Sequence, residues 1–399
     1  MVREHVGVTI TTAHQWAWPE LHDGQRAVLR EVLVHGSRSR ADLARRTGFS
    51  RTSLTRLTRD LVDLQFIVEG EIRSKGGRGR PSEMLDLRPE SAQFAGIKLT
   101  GSALYAVVTD LRANVIESVE HELPRSKAVP EVVALIGRVI DDVRARHHRL
   151  AALGVCLAGD VEDADGGAEV VDSPFLGWDR VPLQRLVEEV TSLPTVVSND
   201  VQALTVGHHW FGAGVGRSSL VVVAFGAGIG AGLVVHDELV RGARGHPGKV
   251  GHLLVSSTES GPVCERGHRG CVSAWVTVPA VVANAGAIDL DDAIRRAGSG
   301  DPRAQAAVRG GARALGAAVA YLVDLVDPEK VIVTGEGLPT ARGAEDAFLE
   351  GLGARLDPAS GAVPIDFCDF DFADYAWAAS IAAIRRVVQP LDGEHVSAA

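Results

Sequence analysis

Two stretches of this chain are written on the same plan. "FAGIKLTGSALYAVVTDLRANVIES", beginning at Phe94, and "SLVVVAFGAGIGAGLVVHDELVRGA", beginning at Ser219, each read as strand, glycine turn, strand, turn, strand. Recurrence of such a unit about 125 residues apart predicts an internal duplication, with two α/β lobes facing one another across a cleft. Amphipathic helices lie between and after the repeats, as in "VPEVVALIGRVIDDVRARH" and "RAQAAVRGGARALGAAVAYLVDLVD". The second of these runs into a further strand and glycine turn, "KVIVTGEG". Glycine turns that expose backbone N–H groups can hold phosphate, although a single one between strands is commonplace.

A length of 399 residues implies two or three domains, and the composition is that of a folded soluble protein. The net charge of −10 conceals an asymmetry. Residues 24–88 carry 14 Lys and Arg against 8 Asp and Glu, a surplus of six, which leaves −16 on the remainder. A basic module on an acidic body suggests that one part meets a polyanion and the other does not. Four cysteines (Cys156, Cys264, Cys271, Cys368) make no disulfide framework, which fits a reducing cytoplasm. The N-terminus "MVREHVGVTITTAHQW" lacks the apolar core of a signal peptide. The longest apolar run, "VVVAFGAGIGAGLVV", is too short and glycine-rich to span a bilayer, so no membrane partner is expected.

Val28, Leu29, Val32 and Leu33 mark a first helix ending near Gly36. Ser39 is suited to cap a short second helix, "RADLARRTG", and Gly48 to make the tight turn after it. Ser50 then caps "RTSLTRLTRDLVDLQ", in which Leu54, Leu57, Leu61 and Leu64 share one face and Arg51, Thr52, Thr55, Arg56 and Arg59 are left on the others. "FIVEGEIRSKGGRGRPSEMLDL" reads as two strands around a basic loop. Three helices and a hairpin over residues 23–88 resemble a winged helix-turn-helix. The third helix would present Ser50, Arg51, Thr52, Ser53, Thr55 and Arg56 to a major groove, the arginines suited to guanine and the small residues to close approach. Arg78 and Arg80 of "RGRP" suit a narrow minor groove. The competing reading is a three-helix bundle whose arginines serve solubility. Residues 1–22 read as an N-terminal extension, and "RPESAQFAG" places a junction at 88–92, with the body at 92–399 dividing into two lobes near residue 200.

From Gly96 to about Arg386, the segments "GVCLAGDVEDADGG", "DSPFLGWDRVPL", "VVSNDVQAL", "FGAGIGAGLV", "RGARGHPGKVGH" and "CERGHRGCVSAW" follow in the order of the ROK family (repressors, open-reading-frame proteins, kinases). The chain resembles that family. The resemblance implies an α/β fold: a winged helix-turn-helix followed by a two-lobed actin/hexokinase-like body. With the winged helix in front, it resembles the xylose- and N-acetylglucosamine-repressor type of ROK transcriptional regulator. It implies a cytoplasmic homodimer that binds a double-stranded, pseudo-palindromic DNA operator of carbohydrate-related genes, with the body sensing a sugar or sugar-phosphate effector. Two alternatives stay open: an ATP-dependent sugar kinase of the hexokinase or glucokinase type with an accessory DNA-binding module, and a regulator that has lost its ligand.

The same resemblance assigns site residues. Where the family's kinases read G-[IV]-D-[LI]-G-G-T, this chain reads "GIKLTGSA", with Lys98, Thr100 and Ser102 in place of Asp, Gly and Thr. A lysine reverses the charge at a magnesium–phosphate position. The second turn keeps Gly226, Gly228 and Gly230 as remnants of a phosphate loop but has Ala227 in place of threonine. No ATP cofactor and no catalytic residue are therefore expected. Asp200, after Asn199, matches the family's catalytic base. It could equally accept sugar hydroxyls without chemistry, or cap the helix that follows. Lys249 stands where the kinases carry a sugar-gripping glutamate, which suggests an anionic effector such as a sugar phosphate. The family's zinc motif is matched by His252, Cys264 and Cys271, while Arg266 replaces its middle cysteine and Ser273 its last glutamate. His268 is the candidate fourth ligand of a structural zinc if the loop adjusts; the alternative is a zinc-free loop with two reduced cysteines.

Overall fold

The computed structural model describes residues 16–73, 82–256 and 261–389. The chain begins with α1 (Asp23–His35), β1 (Arg38–Ser39), α2 (Arg40–Thr47), α3 (Arg51–Asp63), β2 (Ile67–Arg73) and β3 (Ser82–Leu87), the strands forming a sheet in the order β1-β3-β2. Local chemistry sets these boundaries. Ser39 Oγ accepts the Asp42 N–H to start α2, Gly48 at φ 74° ends it, and Ser50 Oγ accepts the Ser53 N–H to start α3. Leu54, Leu57 and Leu61 are buried in the module core. Leu64 is not: α3 stops one residue before it, Gln65 turns the chain at φ 64°, and Phe66 fills the core instead.

The body starts with β4 (Gln93–Leu99), β5 (Ala103–Asp110), β6 (Val115–Glu122), α4 (Val129–Arg146) and β7 (Leu150–Leu157). A small sheet of β8 (Asp160–Ala164), β9 (Gly167–Ser173) and β10 (Trp178–Val181) follows, then α5 (Leu183–Thr191), β11 (Thr195–Asn199) and α6 (Asp200–Trp210). The second half runs β12 (Leu220–Phe225), β13 (Ile229–Val235), β14 (Glu238–Leu239), α7 (Val272–Val276), α8 (Val278–Ala285), α9 (Leu290–Gly298) and α10 (Pro302–Val326). It closes with β15 (Lys330–Thr334), α11 (Leu338–Arg342), α12 (Glu345–Gly353), β16 (Ile365–Phe367) and α13 (Phe372–Val388).

The duplication is visible in the sheets. One has the order β6-β5-β4-β7-β11 and the other β14-β13-β12-β15-β16. In each, three antiparallel strands joined by tight turns are extended by two strands parallel to the first. The fold is α/β and two-lobed. Among the described residues no helix is long and apolar enough to cross a membrane.

Helix α13 returns from the second half to pack across β4, β7 and α6. It approaches so closely that a Cβ on Gly96 would lie 1.9 Å from Ala376 O, and one on Gly154 1.8 Å from Ala379 O. Only glycine fits at these two positions. The far end of α13 joins the module: Ile384, Val387 and Val388 share one apolar cluster with Val28, Leu29 and Val32 of α1. The segment before α1 enters the same junction, Trp18 lying 4.6 Å from the Phe66 ring and 5.9 Å from that of Phe94.

Candidate functional site

A cleft of about 380 Å³ opens between the lobes. Its walls are the ends of both strand sets, the β12–β13 glycine turn, the loop 245–249, Glu336 after β15, and Phe372 and Tyr375 of α13. On its floor Lys98 Nζ donates to Asp200 Oδ2 at 2.5 Å, and the two side chains are almost wholly buried. β4 carries Lys98 in register with Cys156 of β7, and Asp200 is the first residue of α6. The ammonium also stands 4.1 Å from the centre of the Tyr375 ring. Burial disfavours each charge alone; the pairing and the ring face offset that cost. Burial pushes the neighbouring Cys156 thiol up to about 12 and the Tyr375 phenol well above its ordinary value, so both stay neutral here near pH 7.

The helix cap is Asn199, whose Oδ1 accepts the Val201 and Gln202 N–H groups while its Nδ2 donates to Gly159 O. Asp200 is thus not the cap residue, although its Oδ1 also accepts the Val201 N–H at 2.9 Å, and its Oδ2 is the oxygen that meets Lys98. Lys249 stands at the rim with its Nζ 2.7 Å from Asp160 Oδ2, so its charge is already matched. Gly226, Gly228 and Gly230 all line the cleft, and the Ala227 N–H between the first two donates to Glu336 Oε2 at 3.2 Å. Lys98, read as a reversed charge at a metal–phosphate position, is directed at Asp200. Asp160, Glu336 and Tyr375 were missed by sequence reasoning. The "TGEG" turn offered a signal for Glu336; Asp160 and Tyr375 meet their partners only through the fold.

His252, Cys264, His268 and Cys271 come together beside the second lobe. Their ligand atoms all lie within 4.8 Å of one another, with His252 Nδ1 3.8 Å from each sulfur. The Cys264 N–H bonds His268 O at 2.9 Å, and this turn holds His268 against the group without further loop movement. Burial lowers the basicity of His252 and raises the Cys271 thiol. Two sulfurs and two imidazole nitrogens at this spacing form a donor set that can hold a metal ion, and its chemistry fits zinc. Arg266 is exposed, and Ser273 is buried with its N–H on Gly251 O.

On the module, Arg51, Thr52, Thr55, Arg56 and Arg59 form one exposed surface along α3. Ser50 and Ser53 are engaged with each other through the cap, and Thr55 Oγ1 donates to Arg51 O. Among the described side chains, Arg51, Arg56 and Arg59 have no ion pair or hydrogen-bond partner. Other described arginines of the module are engaged: Arg40 pairs with Glu69 and Glu83, Arg45 with Asp42, Arg46 with Glu31, and Arg30 lies over Trp210. Arg78 and Arg80 lie outside the described residues.

The profile of the ROK family matches residues 94–344, more than half of the chain. The chain belongs to the ROK family. Among curated ROK proteins it is similar to the xylose repressor of Caldicellulosiruptor bescii, 26% identical over 329 residues, covering 77% of this chain and 81% of that one. It is also similar to the DNA-binding transcriptional dual regulator NagC of Escherichia coli K12, 27% identical with coverage of 78% and 79%. The repressor Mlc of the same strain is 24% identical, with coverage of 81% and 82%. Among solved structures, a ROK transcriptional regulator described as a homologue of E. coli Mlc superposes with a TM-score of 0.77 at 22% identity, over 92% of this chain and 96% of that one. The Streptomyces griseus ROK glucokinase superposes with a TM-score of 0.61 at 24% identity, over 73% of this chain and 99% of that one. At these identities the superpositions establish the ROK fold, module included for the first.

Proposed function

We propose that this ROK protein is a cytoplasmic DNA-binding transcriptional repressor of carbohydrate-related genes, whose body binds a sugar and does not phosphorylate it. The observation that carries the reading is the division of charge in the module. Among the described residues, arginines elsewhere in it are tied to carboxylates, a carbonyl or a ring, while those on the outer face of α3 are left for a partner. A phosphate backbone and guanine edges are the partners that such a face suits. Similarity to proteins named as transcriptional repressors, over 77% and 81% of this chain, supports it.

The cleft supports a sensing role over phosphoryl transfer. Lys98 occupies the Asp200 carboxylate that a kinase would use to take the sugar's proton. Since Lys249 is matched by Asp160, a neutral, hydroxyl-rich sugar fits the cleft better than the anionic effector suggested by Lys249 alone. Zinc held by His252, Cys264, His268 and Cys271 would brace the loop behind the cleft, with no chemical step of its own.

Helix α13 links effector to DNA. Tyr375 near its start lines the cleft, and Val388 at its end packs in the cluster shared with α1. A sugar that shifts α13 would thus move α3, and in a two-fold dimer would alter the spacing of two reading helices. Coupling of the usual allosteric size, about 1–3 kcal/mol, is sufficient. The test is fluorescence-anisotropy binding to the gene's own upstream DNA over a salt series, with and without a panel of sugars. Specific, salt-dependent binding relieved by one sugar is expected; binding no tighter than to bulk DNA would sink the reading.

A further inference from the structure

The cleft contains one carboxylate without a cation of its own. Lys98 is held by Asp200 and Lys249 by Asp160, whereas Glu336, among the described residues, forms no ion pair and accepts a backbone N–H. We propose that Glu336 is a tethered anion filling the phosphate position of the second glycine turn, so that the body takes its sugar without a nucleotide. This rests on the reading of the body as a sugar sensor.

Two of the turn's N–H groups are already engaged. Gly226 N–H is spent on Gly228 O at 2.8 Å, closing the turn, and Ala227 N–H is given to Glu336 Oε2. The carboxylate lies directly on the turn's backbone: a Cβ on Gly226 would be 1.7 Å from Glu336 Oε2. An incoming phosphate would need that same N–H and that same space.

Glu336 is also fixed from behind. Gly337 N–H donates to Phe225 O at 2.9 Å, and Gly335, at φ 108°, passes so close that its Cβ would meet Phe225 O at 2.4 Å. The two turns are thereby joined, which fixes the backbone that carries the Glu336 side chain to the Ala227 N–H. Charge acts in the same direction. Lys98 is paired with Asp200, and burial, with the Asp200 charge, already holds the Glu336 carboxyl above its ordinary value, so a further anion would enter a site with two carboxylates and no unmatched ammonium.

The experiment is isothermal titration of the full-length protein with magnesium AMPPNP and, separately, with magnesium pyrophosphate. The wild type is expected to give no saturable heat at millimolar ligand. E336G, which frees the N–H and the space, is expected to gain at least about tenfold in affinity, equivalent to about 1.4 kcal/mol. E336Q, which keeps the shape and removes the charge, is expected to gain less, and covers the case in which the glycine variant fails to fold. Wild-type binding as tight as that of E336G overturns the proposal, as does the absence of a gain in both variants. Operator binding by the wild type is measured alongside. Its failure overturns the regulator reading and leaves the Glu336 comparison standing.

Discussion

Lys98 Nζ and Asp200 Oδ2 lie 2.5 Å apart on the floor of the cleft, their residues 3% and 7% exposed. A pair this deeply buried is asymmetric in its consequences: removing one partner strands the other's charge, while removing both does not. K98M is therefore expected to destabilise the protein by about 3–5 kcal/mol, and K98M/D200N to recover most of that loss. Urea midpoints of the two variants test this. Equal destabilisation in both would mean that the pair contributes through packing and not through charge.

The free arginines of α3 make a different prediction from the paired ones. R51A and R56A should each weaken operator binding by about 1–3 kcal/mol if the residue reads a base, while a variant that loses only a phosphate contact should lower the salt slope by about 1. R40A removes a residue that bridges Glu69 and Glu83 and donates to Thr58 Oγ1, so it should lower the melting temperature with little change in salt slope. A uniform loss of stability across all three variants would argue for the solubility bundle.

What could be read in advance, and what could not, divides by distance along the chain. Ser39, Gly48 and Ser50 mark their helix ends because a cap is a contact of two or three residues. The two lobes were legible because each glycine turn joins adjacent strands. Leu64 was misplaced by one residue because the spacing of leucines carries on past the point where the backbone turns at Gln65. The charge relations of the cleft were hidden, since Lys98 meets Asp200 across 102 positions and Lys249 meets Asp160 across 89. Lys249, read alone, suggested an anionic ligand, and Lys98 a bare reversal of charge, because neither carboxylate partner is near in sequence.

The metal cluster predicts a stoichiometry. Purified protein is expected to carry one zinc per chain by elemental analysis, lost on C264S or C271S. H268A is the informative variant, because this histidine would take the role of the absent cysteine. Its loss should weaken zinc retention against a chelator by more than the about 10–100-fold that follows loss of a supporting hydrogen bond. Retention in H268A equal to wild type would remove it from the ligand set. Chelation should lower the melting temperature without abolishing the fold of the module, whose core is distant in sequence.

Acid sensitivity should arise at α6, away from the cleft. His208 carries an Nδ1 shielded from water with no hydrogen-bond partner, and burial, aided by the Lys330 charge, holds its pKa down at about 4. Its neighbour His209 is also lowered by burial, against the opposing pull of Asp237. In the unfolded chain such histidines titrate near their ordinary value of about 6.5. Between these two values the unfolded state binds the extra proton, so stability rises with pH and falls as the solution is acidified from about 6.5 towards 4. For His208 the full loss, reached below its folded pKa, is about 3 kcal/mol. H208Q removes the titration, so its urea midpoint should fall less between pH 7.5 and pH 4.5 than that of the wild type. Parallel lines for the two proteins would show that His208 is solvated and that the acid response lies elsewhere.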